Sequence, residues 1–247
     1  MKASIKKSVI FIAVFILFAC MIPALASPVH AAAKPARVKI KAPKVVYMKN
    51  VKVSWKKTKN AKKYEVLVYD TKTKKWYKNK DKITKTTFTF AGKYNRTYKI
   101  KVRALNGKKK GPFSKVKTIK TLKKPKNLKK FYDKSPEFRK DIEDETVAIN
   151  KNLESLGMSI QVSVTGNAVL YRFSIPAITA SELDPALLEE LTTTLAGIQT
   201  KDEAHLIELI KADQKLTGLT DIIYKFEYVD SQSVVLLTQS FNDQGLI

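Results

Sequence analysis

Thiols and imidazoles are almost missing from this sequence. Its 247 residues include one cysteine, Cys20, and two histidines, His30 and His205. Cys20 stands inside an apolar N-terminal run, so disulfides and cysteine chemistry contribute nothing to the remainder. No His/Cys/Asp cluster shows metal-ligand spacing, and neither a metal nor another cofactor is expected. Eight glycines build neither a Gly-x-Ser-x-Gly turn nor a phosphate-cradling loop. His205, between Ala204 and Leu206 in a helical pattern, reads as a surface residue. The adjacent pairs Glu189-Glu190 and Asp202-Glu203 sit near helix starts, where carboxylates complement the helix dipole. A non-enzymatic chain is expected.

Arginine is scarce as well, at five of the 47 basic residues, and acids are scarce in one half only. Residues 136–247 carry 18 acidic and 8 basic side chains, a net of −10, whereas residues 1–135 carry 4 acids and 39 bases, a net of +35. A polycation is therefore joined to an acidic segment, an asymmetry that signals partners and says little about fold.

What is present at the N-terminus fixes a compartment. Lys2, Lys6 and Lys7 precede an apolar run from Ser8 to Leu25, followed by the small-residue sites Ala24-Leu25-Ala26 and Ala31-Ala32-Ala33. This is the pattern of a secretory signal peptide over residues 1–33. A retained membrane anchor is the alternative. Leu17-Phe18-Ala19-Cys20 loosely resembles a lipoprotein box, but Phe18 is bulky and apolar sequence continues through Met21, Ile22 and Leu25. The expected location is secreted, extracellular or cell-wall associated.

Between residues 36 and 121, short alternating segments predict strands near 37–42, 50–57, 63–70, 75–79, 85–91, 96–104 and 114–120, an antiparallel sandwich. The period of two turns Tyr98, Ile100, Val102 and Ala104 inward and Lys99, Lys101 and Arg103 outward. "VKVSWKKTKNAKKYEVLVYD" followed by "RTYKIKVRALNGKKKGPFSKVKTIKT" resembles a fibronectin type III domain of the kind common in secreted proteins of Gram-positive bacteria. Trp55, the Tyr64 strand and the Tyr-x-Ile-x-Val-x-Ala strand at Tyr98 carry the resemblance, which implies a tyrosine corner at Tyr98. The usual leucine six residues earlier is Gly92. No Arg-Gly-Asp tripeptide is present, so integrin adhesion is not implied.

Residues 122–134 are lysine-rich and read as a linker. The segment 135–247 then changes grammar. Ser135-Pro136 is a helix start, "SIQVSVTGNAVLYRFSI" a hairpin turning at Gly166-Asn167, and two helices lead to a closing strand pair. The expected order is αββααββ, an α+β domain with an antiparallel sheet and helices on one face. "SPEFRKDI" and the hairpin give this half a resemblance to a domain of unknown function in exported proteins and lipoproteins of Gram-positive anaerobes. That implies a location and no activity.

The lysine excess suits a diffuse polyanion better than a read nucleic-acid sequence, because base and phosphate recognition favours arginine's planar fork. The expected partner is an anionic cell-wall polymer such as teichoic acid, or an anionic membrane surface, with no specific nucleic acid. The candidate anion contacts are Lys52 and Lys56 on one sheet, Lys99, Lys101 and Arg103 on the other, and Lys108, Lys109 and Lys110 at a loop tip. Leu67, Tyr69, Trp76 and Tyr77 form a candidate face for a protein or glycan. Two functions are open: attachment at the cell surface, or a carbohydrate- or substrate-binding accessory module of an extracellular hydrolase system. The first expected outcome concerns processing. Intact mass of secreted material should place the mature N-terminus after Ala26 or Ala33 without lipid, and a diacylglyceryl mass on Cys20 would contradict it.

Overall fold

The computed structural model of the chain describes residues 33–78 and 83–247. The expected signal segment, with Cys20 and His30, lies outside the described residues except for Ala33.

Alternating apolar residues build the first half. Strands β1 (Lys44–Val46) and β2 (Asn50–Ser54) pair, and two strands, β3 (Lys63–Asp70) and β4 (Lys75–Lys78), follow. Strands β5 (Thr87–Phe90), β6 (Thr97–Asn106), β7 (Lys109–Lys110) and β8 (Lys117–Lys120) complete the set. One sheet runs β1-β2-β5; the other runs β4-β3-β6-β7, with β8 also pairing β6. Their inner faces bury Val51, Val53 and Trp55 against Tyr64, Val66, Ile100 and Val102. Trp55 meets Tyr64 edge-on at 5.2 Å between ring centroids, a geometry aromatic pairs favour. The Tyr98 hydroxyl accepts the Lys93 N–H at 2.8 Å, which makes the corner the resemblance implied. Gly92 stands where a leucine is usual because a Cβ there would lie 2.2 Å from the Lys49 carbonyl oxygen. The strand expected at 37–42 is reduced to one bridge, Ile40 to Trp55; Pro43 has no N–H with which to extend it.

In the second half the lysine-rich "linker" is partly core. Helix α1 (Leu128–Lys134) is capped by the Asn127 side chain and buries Leu128 and Phe131. Its lysines occupy the positions between, which made the segment look merely solvated. Ser135 caps α2 (Pro136–Leu153) through the Phe138 N–H. After them come β9 (Ser159–Thr165), β10 (Ala168–Ser174), α3 (Pro185–Lys201), α4 (Glu203–Thr217), β11 (Ile223–Val229), β12 (Val235–Asn242) and β13 (Gly245–Leu246). The sheet order is β13-β12-β11-β10-β9. Two corrections follow. The order gains α1 and β13, and the sheet is mixed rather than antiparallel, since β10 and β11 run parallel. The long connection through α3 and α4 permits this, because parallel neighbours need a crossover. One face of the sheet buries Ile160, Val169, Tyr171, Phe226 and Phe241 with Phe138, Ile142, Leu206 and Ile210 of the helices.

The halves also meet. Met48, in the β1–β2 turn, is 3% exposed and belongs to the second core. Beside it the Tyr47 hydroxyl donates to Asp141 Oδ2 at 2.7 Å, Lys49 Nζ donates to the Lys215 carbonyl at 2.9 Å, and the Tyr94 hydroxyl donates to the Thr217 carbonyl. The halves carry net charges of opposite sign, and this junction joins them through a buried side chain and several hydrogen bonds. Trp55→Ala should therefore cost about 3–5 kcal/mol, as deletion of a buried aromatic does, and should lower the melting midpoint of the α+β half too. Calorimetry showing that second transition unmoved would mean the Met48 junction couples nothing.

Candidate functional site

The pairing of β3 with β6 sorts the candidate residues by face. Glu65 lies opposite Arg103, Leu67 opposite Lys101 and Tyr69 opposite Lys99, while Trp76 on β4 lies opposite Tyr69. Leu67, Tyr69, Trp76, Lys99, Lys101 and Arg103 therefore share one outer surface. The Tyr69 and Trp76 rings are 5.0 Å apart and tilted by 46°, and Trp76 is 45% exposed. Lys101 Nζ sits 4.5 Å from the Trp76 centroid and 4.6 Å from that of Phe113. The Arg103 guanidinium lies 4.5 Å from the Phe113 ring and donates to Glu65 at 2.9 Å.

Two of the expected free cations are thus engaged. Arg103 is held by a buried carboxylate and Lys101 lies between two rings, contacts that stabilise a cation in place. Lys99 remains exposed. Phe113, which organises both cations, was missed because its segment has no alternation; an isolated aromatic between Pro112 and Ser114 was the only signal. Tyr77 is a correction. It lies opposite Val68, on the inner side, because consecutive strand residues point to opposite faces. There it lines a cleft of about 430 Å³ with Asp70, Phe88, Phe90, Lys93 and Tyr98.

The other candidates are scattered. Lys52 and Lys56 are exposed on the side of the β1-β2-β5 sheet, and Lys108, Lys109 and Lys110 are exposed at the β6–β7 tip. The carboxylates described between residues 36 and 121 are Glu65 and Asp70, and both are buried. Asp70 Oδ1 takes Arg96 at 3.3 Å and the Lys72 N–H at 2.9 Å. With both acids committed to arginines, the lysines outnumber any compensating charge on the described surface of the sandwich.

A second group, also missed, lies where α2 and α4 cross β10 and β11. Asp141, Glu145, Asp213, Tyr171 and Tyr224 border a cavity of about 180 Å³. Tyr224 donates to Asp213 Oδ2 at 3.1 Å. Burial pushes the Asp213 carboxyl up to about 6; the Tyr224 hydrogen bond opposes that, and Glu145 and Asp141 add to it. Burial also raises Glu145, Tyr171 and Tyr224. Tyr47 is raised to about 12, first by its bond to Asp141. Asp141 and Glu145 lie one turn apart on α2 and Asp213 lies on α4, so no single local motif announced the group. Among the described residues no three His, Cys, Asp or Glu side chains are grouped to hold a metal ion, and His205 is exposed on α4.

No family model matches the sequence, and no curated protein matches it. Among solved structures, the chain is similar to the FN5 domain of Drosophila Lar, at 24% identity over 36% of this chain and 97% of that one, with a TM-score of 0.31. It is also similar to a myokine structure, at 14% identity over 38% of this chain and 100% of that one, with a TM-score of 0.30.

The buried acid makes a pH prediction. The folded Asp213 value of about 6 lies above the ordinary 3.8, so the native state keeps a proton that the unfolded chain loses between those values. Its contribution is therefore most favourable below pH 3.8, declines as pH rises to about 6, and stays unfavourable above that. Asp213→Asn removes the charge and leaves Tyr224 an oxygen to donate to. Urea unfolding should show a gain on the order of 2–3 kcal/mol at pH 7 and none at pH 3.5, the low-pH end of that window. An equal gain at both pH values would contradict the assignment.

Proposed function

We propose that this chain is a non-catalytic exported or cell-surface protein whose basic sandwich attaches to an anionic cell-wall polymer of the teichoic acid type. The acidic α+β half is then held away from the polymer by like charge and presented to a partner. The observation that carries the reading is the sequestration of Glu65 and Asp70 by Arg103 and Arg96, while Lys52, Lys56, Lys99 and Lys108 to Lys110 stay exposed. Such uncompensated lysines gain attraction from a dense polyanion mainly by displacing its counterions. Solubility alone seldom needs so large a net charge of one sign.

A second reading, a glycan-binding accessory module, is favoured by one feature. Tyr69 and the half-exposed Trp76 form an aromatic platform beside cations, the kind of surface on which sugar rings stack. Retention on purified walls separates the two. Retention that falls as salt rises and as teichoic acid is removed is the expected result. Retention indifferent to both would reject polymer attachment and leave the platform as the binding element.

A further inference from the structure

Along one edge of the sandwich the N-terminal segment runs beside the start of β2's extension, through Lys56 N–H to the Lys39 carbonyl at 3.2 Å and Ala36 N–H to the Lys59 carbonyl at 3.5 Å. Two adjoining clefts open there, of about 330 and 290 Å³, and both are lined by Arg37 and Lys39. Lys115 and Lys117 complete the first; Lys56, Lys57 and Lys59 complete the second. No carboxylate is among the described residues that line either cleft. All seven cations are exposed. The buried residues between them, Val38 and Thr58, hold the backbone in place without adding charge.

Arginine usage singles this edge out. Of the three arginines between residues 36 and 121, Arg96 is committed to Asp70 and Arg103 to Glu65. Among the described residues Arg37 has no carboxylate partner. A free guanidinium offers a planar fork of donors that matches two phosphate oxygens, which an ammonium does not. Lysines on a sheet edge also discourage edge-to-edge pairing. Lysine alone serves that purpose, so it explains neither the arginine nor the groove.

We propose that this edge groove is the principal anion-binding site, taking one extended chain of a phosphodiester polymer with Arg37 at its centre. This rests on the reading that the basic half binds anionic polymer, and it replaces a uniformly diffuse attraction with a located one. A strand of alternating phosphates can lie along two successive clefts and meet cations from both walls. A planar surface of headgroups would instead meet the lysines that stand highest, wherever they are.

The test uses the full chain and a fluorescent poly(glycerol phosphate) followed by anisotropy across a salt series. In the groove variant, Arg37, Lys39, Lys57, Lys115 and Lys117 are each changed to Gln. In a control, Lys72, Lys74, Lys75, Lys108 and Lys109, equally exposed, are changed to Gln, so that net charge falls equally. Loss of five contacts should reduce the slope of log affinity against log salt by about 3.5, at ~0.7 per contact on a flexible polyanion. The groove variant should bind about tenfold more weakly than the control. Arg37→Lys, which keeps the charge, should lose affinity several-fold by itself. Equal weakening of the two five-fold variants, with Arg37→Lys unchanged, would overturn the groove while leaving polymer attachment intact. Failure of the unmodified chain to bind at low salt would instead remove the reading beneath it.

Discussion

Everything distinctive about the first half depends on the register between β3 and β6. In that ladder Tyr64, Val66 and Val68 lie opposite Ala104, Val102 and Ile100, while Glu65, Leu67 and Tyr69 lie opposite Arg103, Lys101 and Lys99. A slip of one residue would exchange the two sets. It would expose the wall of the core and bury lysines without partners, at a cost no small domain can carry. The same register delivers Glu65 to Arg103 and, from the last pair of the ladder, Asp70 to Arg96 two residues before its partner Tyr98. One set of backbone hydrogen bonds thus fixes the core, the aromatic and cationic outer face, and the neutralisation of the two acids.

That neutralisation separates two kinds of positive charge. Arg96, Arg103 and Lys101 are structural cations, fixed by carboxylates or rings. The exposed lysines and Arg37 are left to the solvent or to a ligand. The division is by partner and not by residue type, and net charge alone does not reveal it. In the acidic half the balance is opposite: Glu227 is held below the usual carboxylate range first by Lys225 and then by Arg172, whereas burial raises both Asp213 and Glu145.

Alternation made the sandwich legible in the sequence, because a period of two over eight or ten residues has no other easy meaning. Leu128 and Phe131 were harder to see. Two apolar residues three apart among lysines are too few to assert a helix, and only the core that receives them gives them weight. The parallel pairing of β10 with β11 was hidden for a different reason: strand direction is set by what two intervening helices do, and no local pattern records it. Tyr77 was placed on the wrong face although the period of two was available; Trp76 and Tyr77 cannot both point outward from one strand. The seven edge cations looked like all the others. Their difference lies in what is absent around them, and sequence lists neighbours in the chain rather than neighbours in space.

Met48 carries a consequence for how this protein can change over generations. Tyr47 and Met48 both adopt left-handed backbone conformations, with φ of 47° and 58°, which side chains other than glycine's rarely hold without support. The second core supplies that support. A domain of this size can in principle fold alone, with its ends at the surface. This one carries a thioether shaped to another fold's interior, so excision would leave an apolar plug in water and a hole in the partner. Recombination that moves one half alone is penalised twice, and inheritance favours the pair as a single hereditary unit.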